Sequence, residues 1–162
     1  MVVMAGGLGT RLSPDKPLLE VCGRPMALRM AEVGGRLGPV TFAVVRGRPG
    51  EGLPGPKVYT SGRGYEWDVV EAVEAVGTPA LVLPADVPLI RVDHLFALVE
   101  GCEADLCNLL SLGRFVGISL WRSSRPATHQ DVELGERILN VNGPVELELA
   151  RGECAKVAEG RS

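Results

Sequence analysis

The sequence has few aromatic residues: Phe, Trp and Tyr together make 4% of 162 positions. That scarcity argues against a platform for stacking the bases of a single-stranded nucleic acid. No cluster of Lys and Arg stands out and the net charge is -3, which also argues against a nucleic-acid partner. No apolar run approaches the roughly 20 residues that a membrane helix needs, so no membrane span is expected. The opening Met1-Val2-Val3-Met4-Ala5-Gly6 lacks the basic and apolar segments of a secretion signal. The expected location is cytoplasmic.

Histidine is scarce too, with His94 and His129 alone, and no two of the four cysteines form a CxxC pair. A zinc site is not expected. Cys22, Cys102, Cys107 and Cys154 read as thiols in a reducing cytosol. Lysine is rare beside arginine, 3 of the 17 basic residues. Heat adaptation and a GC-rich genome both produce that bias. Under the first, a Cys102–Cys107 bridge becomes admissible.

What is present is 46% hydrophobic and 23% charged, the composition of one globular domain spanning 1–162. Val2–Met4 reads as a strand and is followed by the Gly-rich stretch Gly6-Gly7-Leu8-Gly9-Thr10. Leu18–Val21 reads as a short extended piece, and Met26–Arg36 has helical spacing with Pro25 in its first turn. Val40–Val45 reads as a buried strand, 46–56 as a Gly/Pro-rich surface loop and Lys57–Thr60 as a short strand. Trp67–Val76 carries Val69, Val70, Val73 and Val76 on one stripe, with Gly77 as its cap. Ala80–Leu83 is a strand, and Asp93–Glu100 a helix with Leu95, Leu98 and Val99 inward. Asp105–Ser111 and Phe115–Trp121 read as strands around a tight turn. Residues 122–137 lack periodicity, Ile138–Val141 is strand-like, Pro144 opens a helix through Ala150, and the last ten residues read as a short strand or a loose tail. This alternation predicts an α/β fold: a Rossmann-like, mostly parallel (mixed) sheet flanked by helices.

The strongest chemical signal is Ala5-Gly6-Gly7-Leu8-Gly9-Thr10-Arg11 followed by Lys16-Pro17. Its glycines let backbone approach a ligand, and successive N–H groups make a nest for an anion. Arg11 can fork onto phosphate oxygens, and Lys16 adds a mobile charge. No GK[ST] closes the loop, so it is not a Walker loop. The alternative is a plain Gly-rich turn. A second signal is Leu83-Pro84-Ala85-Asp86-Val87-Pro88, which places Asp86 directly after a strand. Ligands of open α/β sheets sit beyond the carboxyl ends of strands, so Asp86 and the Gly-rich loop can face one crevice. Its carboxylate suits Mg²⁺; the alternative is a turn residue before Pro88.

These two motifs resemble the signature of the nucleotidyltransferases that join a nucleoside triphosphate to a phosphorylated acceptor. The resemblance implies that the loop wraps the triphosphate, that Lys16 reaches the α-phosphate region and that Asp86 binds Mg²⁺. A narrower match follows. Tyr59-Thr60-Ser61-Gly62-Arg63-Gly64-Tyr65 resembles the TSGKGY segment of the archaeal GTP:adenosylcobinamide-phosphate guanylyltransferases. Lys16-Pro17-Leu18 with Cys22-Gly23-Arg24, Val116-Gly117-Ile118-Ser119 and Leu139-Asn140-Val141-Asn142 are similar to segments of the same enzymes, in the same order. The resemblance implies transfer of GMP from GTP to adenosylcobinamide phosphate, with pyrophosphate released. Molybdenum-cofactor guanylyltransferases and sugar-phosphate nucleotidyltransferases share the loop and are the alternatives, as is a non-catalytic nucleotide-binding subunit.

The expected site follows. Arg11, Lys16 and Asp86 carry catalysis; Ala5, Gly6, Gly7, Gly9 and Thr10 hold the triphosphate. Ser61, Gly62 and Gly64 offer backbone groups to guanine, Ser61 alternatively capping a helix, and Gly117 lets ribose or acceptor approach. Asn142, with Asn140 as second choice, joins Asp86 around the metal. Acceptor contacts are expected between Arg122 and Arg137, where His129, Asp131 and Glu133 read as a solvated loop. A homodimer is the base-rate expectation for assembly.

Overall fold

Strand β1, Val2–Met4, splits its side chains between two cores. Val2 and Met4 pack with Val69, Ala72, Val73 and Val82, whereas Val3 and Ala5 pack with Ala27, Met30, Leu83 and Leu95. A strand buried on both faces must be apolar throughout, and this one is. The computed structural model describes residues 1–7 and 12–159. The Gly9, Thr10 and Arg11 expectations therefore lie outside the described residues.

Around β1 lie β2 (Glu20–Val21), β3 (Arg24–Pro25), α1 (Met26–Gly34), β4 (Thr41–Val44) and β5 (Lys57–Tyr59). Then come α2 (Tyr65–Val76), β6 (Ala80–Pro84), α3 (Val92–Gly101), β7 (Leu106–Ser111), β8 (Arg114–Trp121), β9 (His129–Leu134) and α4 (Pro144–Glu159). Seven strands form one sheet in the order β5-β4-β1-β6-β8-β7-β9, and β2 and β3 pair separately. Only β8 runs against the rest: it is antiparallel to β6 and β7, and all other neighbours are parallel. The expected mostly parallel, mixed α/β sheet is the observed one. Among the described residues no helix is long and apolar enough to cross a membrane.

The β7–β8 turn takes its shape from Leu112 and Gly113, both at positive φ (50° and 79°), as a two-residue hairpin requires. Because β8 is reversed, it begins where β1, β6 and β7 end. Arg114–Gly117 thus joins the carboxyl edge of the sheet.

Several local expectations are corrected. Residues 16–21 divide into a 3-10 turn, Lys16–Leu18, and β2. Pro25 stands just before α1 instead of in its first turn. Val76 and Val99 are 36% and 40% exposed, so the buried stripes of α2 and α3 are narrower than the sequence suggests. The stretch 122–137 contains β9, an edge strand parallel to β7 whose residues alternate exposed and half-buried. Its sequence HQDVEL is charged, as an exposed edge should be, and so carries no apolar signal. Ile138–Val141 forms no strand. Helix α4 runs on to Glu159 beyond the expected end at Ala150, and past that point Cys154 packs against the cluster of Val21, Met26 and Val141.

The cysteines are also corrected. They are paired, Cys22 with Cys154 and Cys102 with Cys107, at Cα separations of 5.3 and 5.8 Å. The first bridge ties the β2–β3 turn to α4.

Candidate active site

The carboxyl edge gathers loops from β1, β5, β6 and β8. Met4 is registered with Pro84 across β1 and β6, so Gly6 and Gly7 leave the sheet beside Ala85 and Asp86. A cavity of about 330 Å³ opens there, lined by Gly6, Gly7, Lys16, Arg48, Gly62 and Asp86 among others. A larger one of about 810 Å³ adjoins it, lined by Arg114, Phe115, Gly117, Arg137 and Asn142 among others. Tyr65, Pro84 and Asp86 line both and form the shared wall.

Lys16 is brought to this wall by its 3-10 turn. Its Nζ donates to Asp86 Oδ2 at 3.0 Å and to Asn142 Oδ1 at 3.3 Å. Asn140 Nδ2 donates to Asp86 Oδ1 at 3.4 Å and to the Val116 carbonyl at 3.2 Å. Asp86 is thus oriented from both sides, and its own carbonyl accepts the Val141 N–H at 2.7 Å. Asn142 presents an oxygen to the site; Asn140 presents its amino group to Asp86 and so acts as an orienting donor.

The Gly-rich loop is divided in role. Ala5 is 1% exposed and its N–H completes the sheet by donating to Ala43. It lines neither cavity, whereas Gly6 and Gly7 line the smaller one. Gly6 stands so close to β4 that a Cβ there would meet Val45 Cγ2 at 2.8 Å.

In the 61–64 segment the Ser61 and Gly62 N–H groups are already used. Ser61 N–H and Oγ donate to Glu71 at 2.6 and 2.8 Å, and Gly62 N–H donates to Asp68 Oδ1 at 2.8 Å. Neither is offered to a ligand, and Ser61 does not cap α2. The Ser61 N–H, then its hydroxyl, hold the Glu71 carboxyl below the usual glutamate range. Gly62 and Gly64 line the smaller cavity, and Gly64, at φ 143°, starts α2.

Three further residues, missed by sequence reasoning, build the site. Arg48 Nη1 donates to the Gly6 carbonyl at 2.5 Å and brings a cation to the smaller cavity. It sits in a Gly/Pro-rich loop that carries no chemical motif. Asp68 is 6% exposed on the inner face of α2, a position where a charge without a partner would not be tolerated. That buried charge was the available signal. The Tyr65 hydroxyl donates to the Gly117 carbonyl at 3.2 Å. Burial, then the charge of Asp86, push its ionisation well above the usual tyrosine range.

Of the residues singled out between 122 and 137, one reaches a cavity. Arg137 lines the larger cavity; His129, Asp131 and Glu133 do not. They lie on β9, where Asp131 accepts from Asn108 and Glu133 from the Gly113 N–H. Among the described residues, no three His, Cys, Asp or Glu side chains gather around a common point.

Residues 1–128 match the MobA-like NTP transferase domain family. The bifunctional protein GlmU of Chromohalobacter salexigens is 29% identical over 156 residues, covering 85% of this chain and 34% of that protein. The chain therefore spans about a third of the length of such relatives. Two solved structures share its fold. CMP:2-keto-3-deoxy-manno-octonic acid synthetase with CTP superposes with TM-score 0.78 at 18% identity, over 96% of this chain and 98% of that one. Molybdopterin-guanine dinucleotide biosynthesis protein A of Archaeoglobus fulgidus gives 0.74 at 15% identity, with the same coverage.

Proposed function

The chain belongs to the MobA-like NTP transferase domain family, and from that premise we propose that it transfers GMP from GTP to adenosylcobinamide phosphate. The observation that carries nucleotidyl transfer is the meeting of Lys16, Asp86 and Asn142 at the wall between two cavities. The smaller cavity takes GTP and the larger takes the phosphorylated acceptor. The α-phosphorus then lies at the shared wall.

The acceptor phosphate oxygen attacks that phosphorus as the bond to pyrophosphate breaks. The attacking oxygen is already ionised near neutral pH, so no side chain has to remove a proton. Catalysis comes from positioning and charge neutralisation. Lys16 and Arg11 oppose the charge that develops on pyrophosphate, with Gly6, Gly7, Gly9 and Thr10 around the phosphates. Tyr65 holds Gly117 in place on the acceptor side.

Asp86 Oδ2 and Asn142 Oδ1 already converge on one cationic atom, Lys16 Nζ. Two such hard oxygens, completed by phosphate and water, fit Mg²⁺. When bound, the ion supplies charge neutralisation at the phosphate oxygens.

The choice of GTP rests on the TSGRGY resemblance. It is supported by Asp68, whose carboxylate lines the smaller cavity and can accept from the amide edge of guanine. Gly62 and Gly64 keep side chains out of that edge. A second acceptor, the pterin of molybdenum cofactors, has the family match on its side.

The test has two stages. Melting temperature is measured with GTP, ATP, CTP and UTP, with and without Mg²⁺. Pyrophosphate release is then followed with GTP and either adenosylcobinamide phosphate or molybdopterin. A shift confined to GTP and release with the first acceptor uphold the proposal. Release with molybdopterin alone selects the second reading, and a GTP shift with no release from either leaves a nucleotide-binding subunit.

A further inference from the structure

Among the described residues, the charged side chains that line the smaller cavity are Lys16, Arg48, Asp68 and Asp86. Lys16 and Asp86 are bonded to each other at 3.0 Å. Arg48 and Asp68 remain, a cation and an anion in one cavity. They are not within ion-pair distance of each other, and among the described residues neither has an ion-pair partner elsewhere.

Each is held by the backbone instead. Arg48 lies in the loop that follows β4, and its Nη1 donates to the Gly6 carbonyl at 2.5 Å. Asp68 stands in the first turn of α2, 6% exposed, and its Oδ1 accepts the Gly62 N–H at 2.8 Å. The two charges meet at Gly62. A Cβ on Gly62 would come within 2.8 Å of Arg48 Nη2, and its φ of 74° also favours glycine. Gly62 thus leaves room for the guanidinium while its N–H fixes the carboxylate.

These bonds leave most of both groups unused. A guanidinium has five N–H donors, and a carboxylate accepts at both oxygens. Arg48 spends one donor on Gly6 and Asp68 one oxygen on Gly62. The cavity therefore offers donors and an acceptor side by side. Guanine has the complementary edge: N7 and O6 accept on one half, N1–H and the exocyclic amino group donate on the other.

We propose that Arg48 is a specificity-determining residue for the nucleotide, donating to O6 and N7 of guanine while Asp68 accepts from N1 and the amino group. A guanidinium binds that pair of acceptors with two parallel bonds. Adenine reverses the pattern and would set its amino group against Arg48 and its N1 lone pair against Asp68, so the same two residues reject it. A phosphate is disfavoured on Arg48 because the Asp68 carboxylate beside it would repel the anion. This deepens the reading of the smaller cavity as the GTP site and rests on it.

The test uses the full chain with Mg²⁺ and without acceptor, so that no transfer occurs. Calorimetry gives the affinities of GTP, ATP and 7-deaza-GTP, which carries C–H in place of N7. The wild type binds GTP roughly tenfold tighter than 7-deaza-GTP, the size of one charge-assisted hydrogen bond. In Arg48→Met, checked for wild-type melting temperature, the two bind equally. Arg48→Lys keeps the charge but loses the fork, so it also lowers the ratio and serves if the methionine variant melts early. Equal affinities in the wild type overturn the inference, as does a ratio that survives substitution, and both leave GTP binding intact. Binding of neither guanine nucleotide, or ATP bound as tightly as GTP, marks instead the failure of the GTP reading itself.

Discussion

Lys16 Nζ and Asp86 Oδ2 lie 3.0 Å apart although 70 residues separate them in the chain. The side chains are 19% and 20% exposed, so the pair is only partly screened by water. Bound phosphate would compete for the same ammonium, which makes Lys16 a group that can turn from Asp86 to ligand. Lys16→Ala and Asp86→Ala are each expected to lower pyrophosphate release at least about 100-fold. Circular dichroism should show the fold retained. Near-wild-type rates in both variants would remove them from the mechanism.

Tyr65 joins the two cavities through its hydroxyl bond to Gly117. Tyr65→Phe deletes one hydrogen bond and should raise the KM for the acceptor about three- to tenfold, with kcat less affected. Its ionisation is pushed up by burial and by Asp86, so the hydroxyl stays protonated in alkali. The wild-type rate should therefore show no tyrosine titration up to about pH 10. An alkaline limb present in wild type and absent in Tyr65→Phe would contradict the assigned environment.

Glu71 closes the Ser61–Gly64 segment against α2. Its folded-state ionisation lies below the ordinary range, chiefly through the Ser61 N–H. A depressed carboxyl contributes stability above its unfolded value and loses it as pH falls through the folded one. Wild type should thus melt higher than Glu71→Gln at neutral pH. The gap should close as pH falls from the ordinary glutamate range through the lowered value. A gap that stays constant across the acid range would show that Glu71 acts by packing alone.

The two disulfides close loops of very different length, with sequence separations of 132 and 5. Loop-closure entropy assigns up to about 5 kcal/mol to the first and about 2 kcal/mol to the second. Removing Cys22 and Cys154 together should lower the melting temperature more than removing Cys102 and Cys107 together. Thermal melts of the two double serine variants decide the order.

Much of the site's material is legible in short windows. Val2–Met4 is apolar at every position because it is buried on both faces. Gly6 and Gly7 follow it, and Asp86 follows the equally apolar Ala80–Pro84. Each reading needs only local periodicity and the rule that α/β ligands sit at carboxyl ends. Arg48 and β9 were not legible for the same reason in reverse. One lies in a loop of Gly and Pro, the other on a charged edge, and neither carries an apolar period.

The sequence by itself determined most of the elements, β9 and the far end of α4 excepted, because helix and strand spacing are properties of a few neighbouring residues. It also determined which residue types stand at the strand ends. Only the tertiary structure decided which of them meet. The order of the sheet set Met4 beside Pro84, and the reversal of β8 brought Gly117 and Arg114 to the same edge. The packing of α4 on β2 paired Cys22 with Cys154. Such contacts depend on how apolar faces distant in the chain fit together, and no local window contains that information.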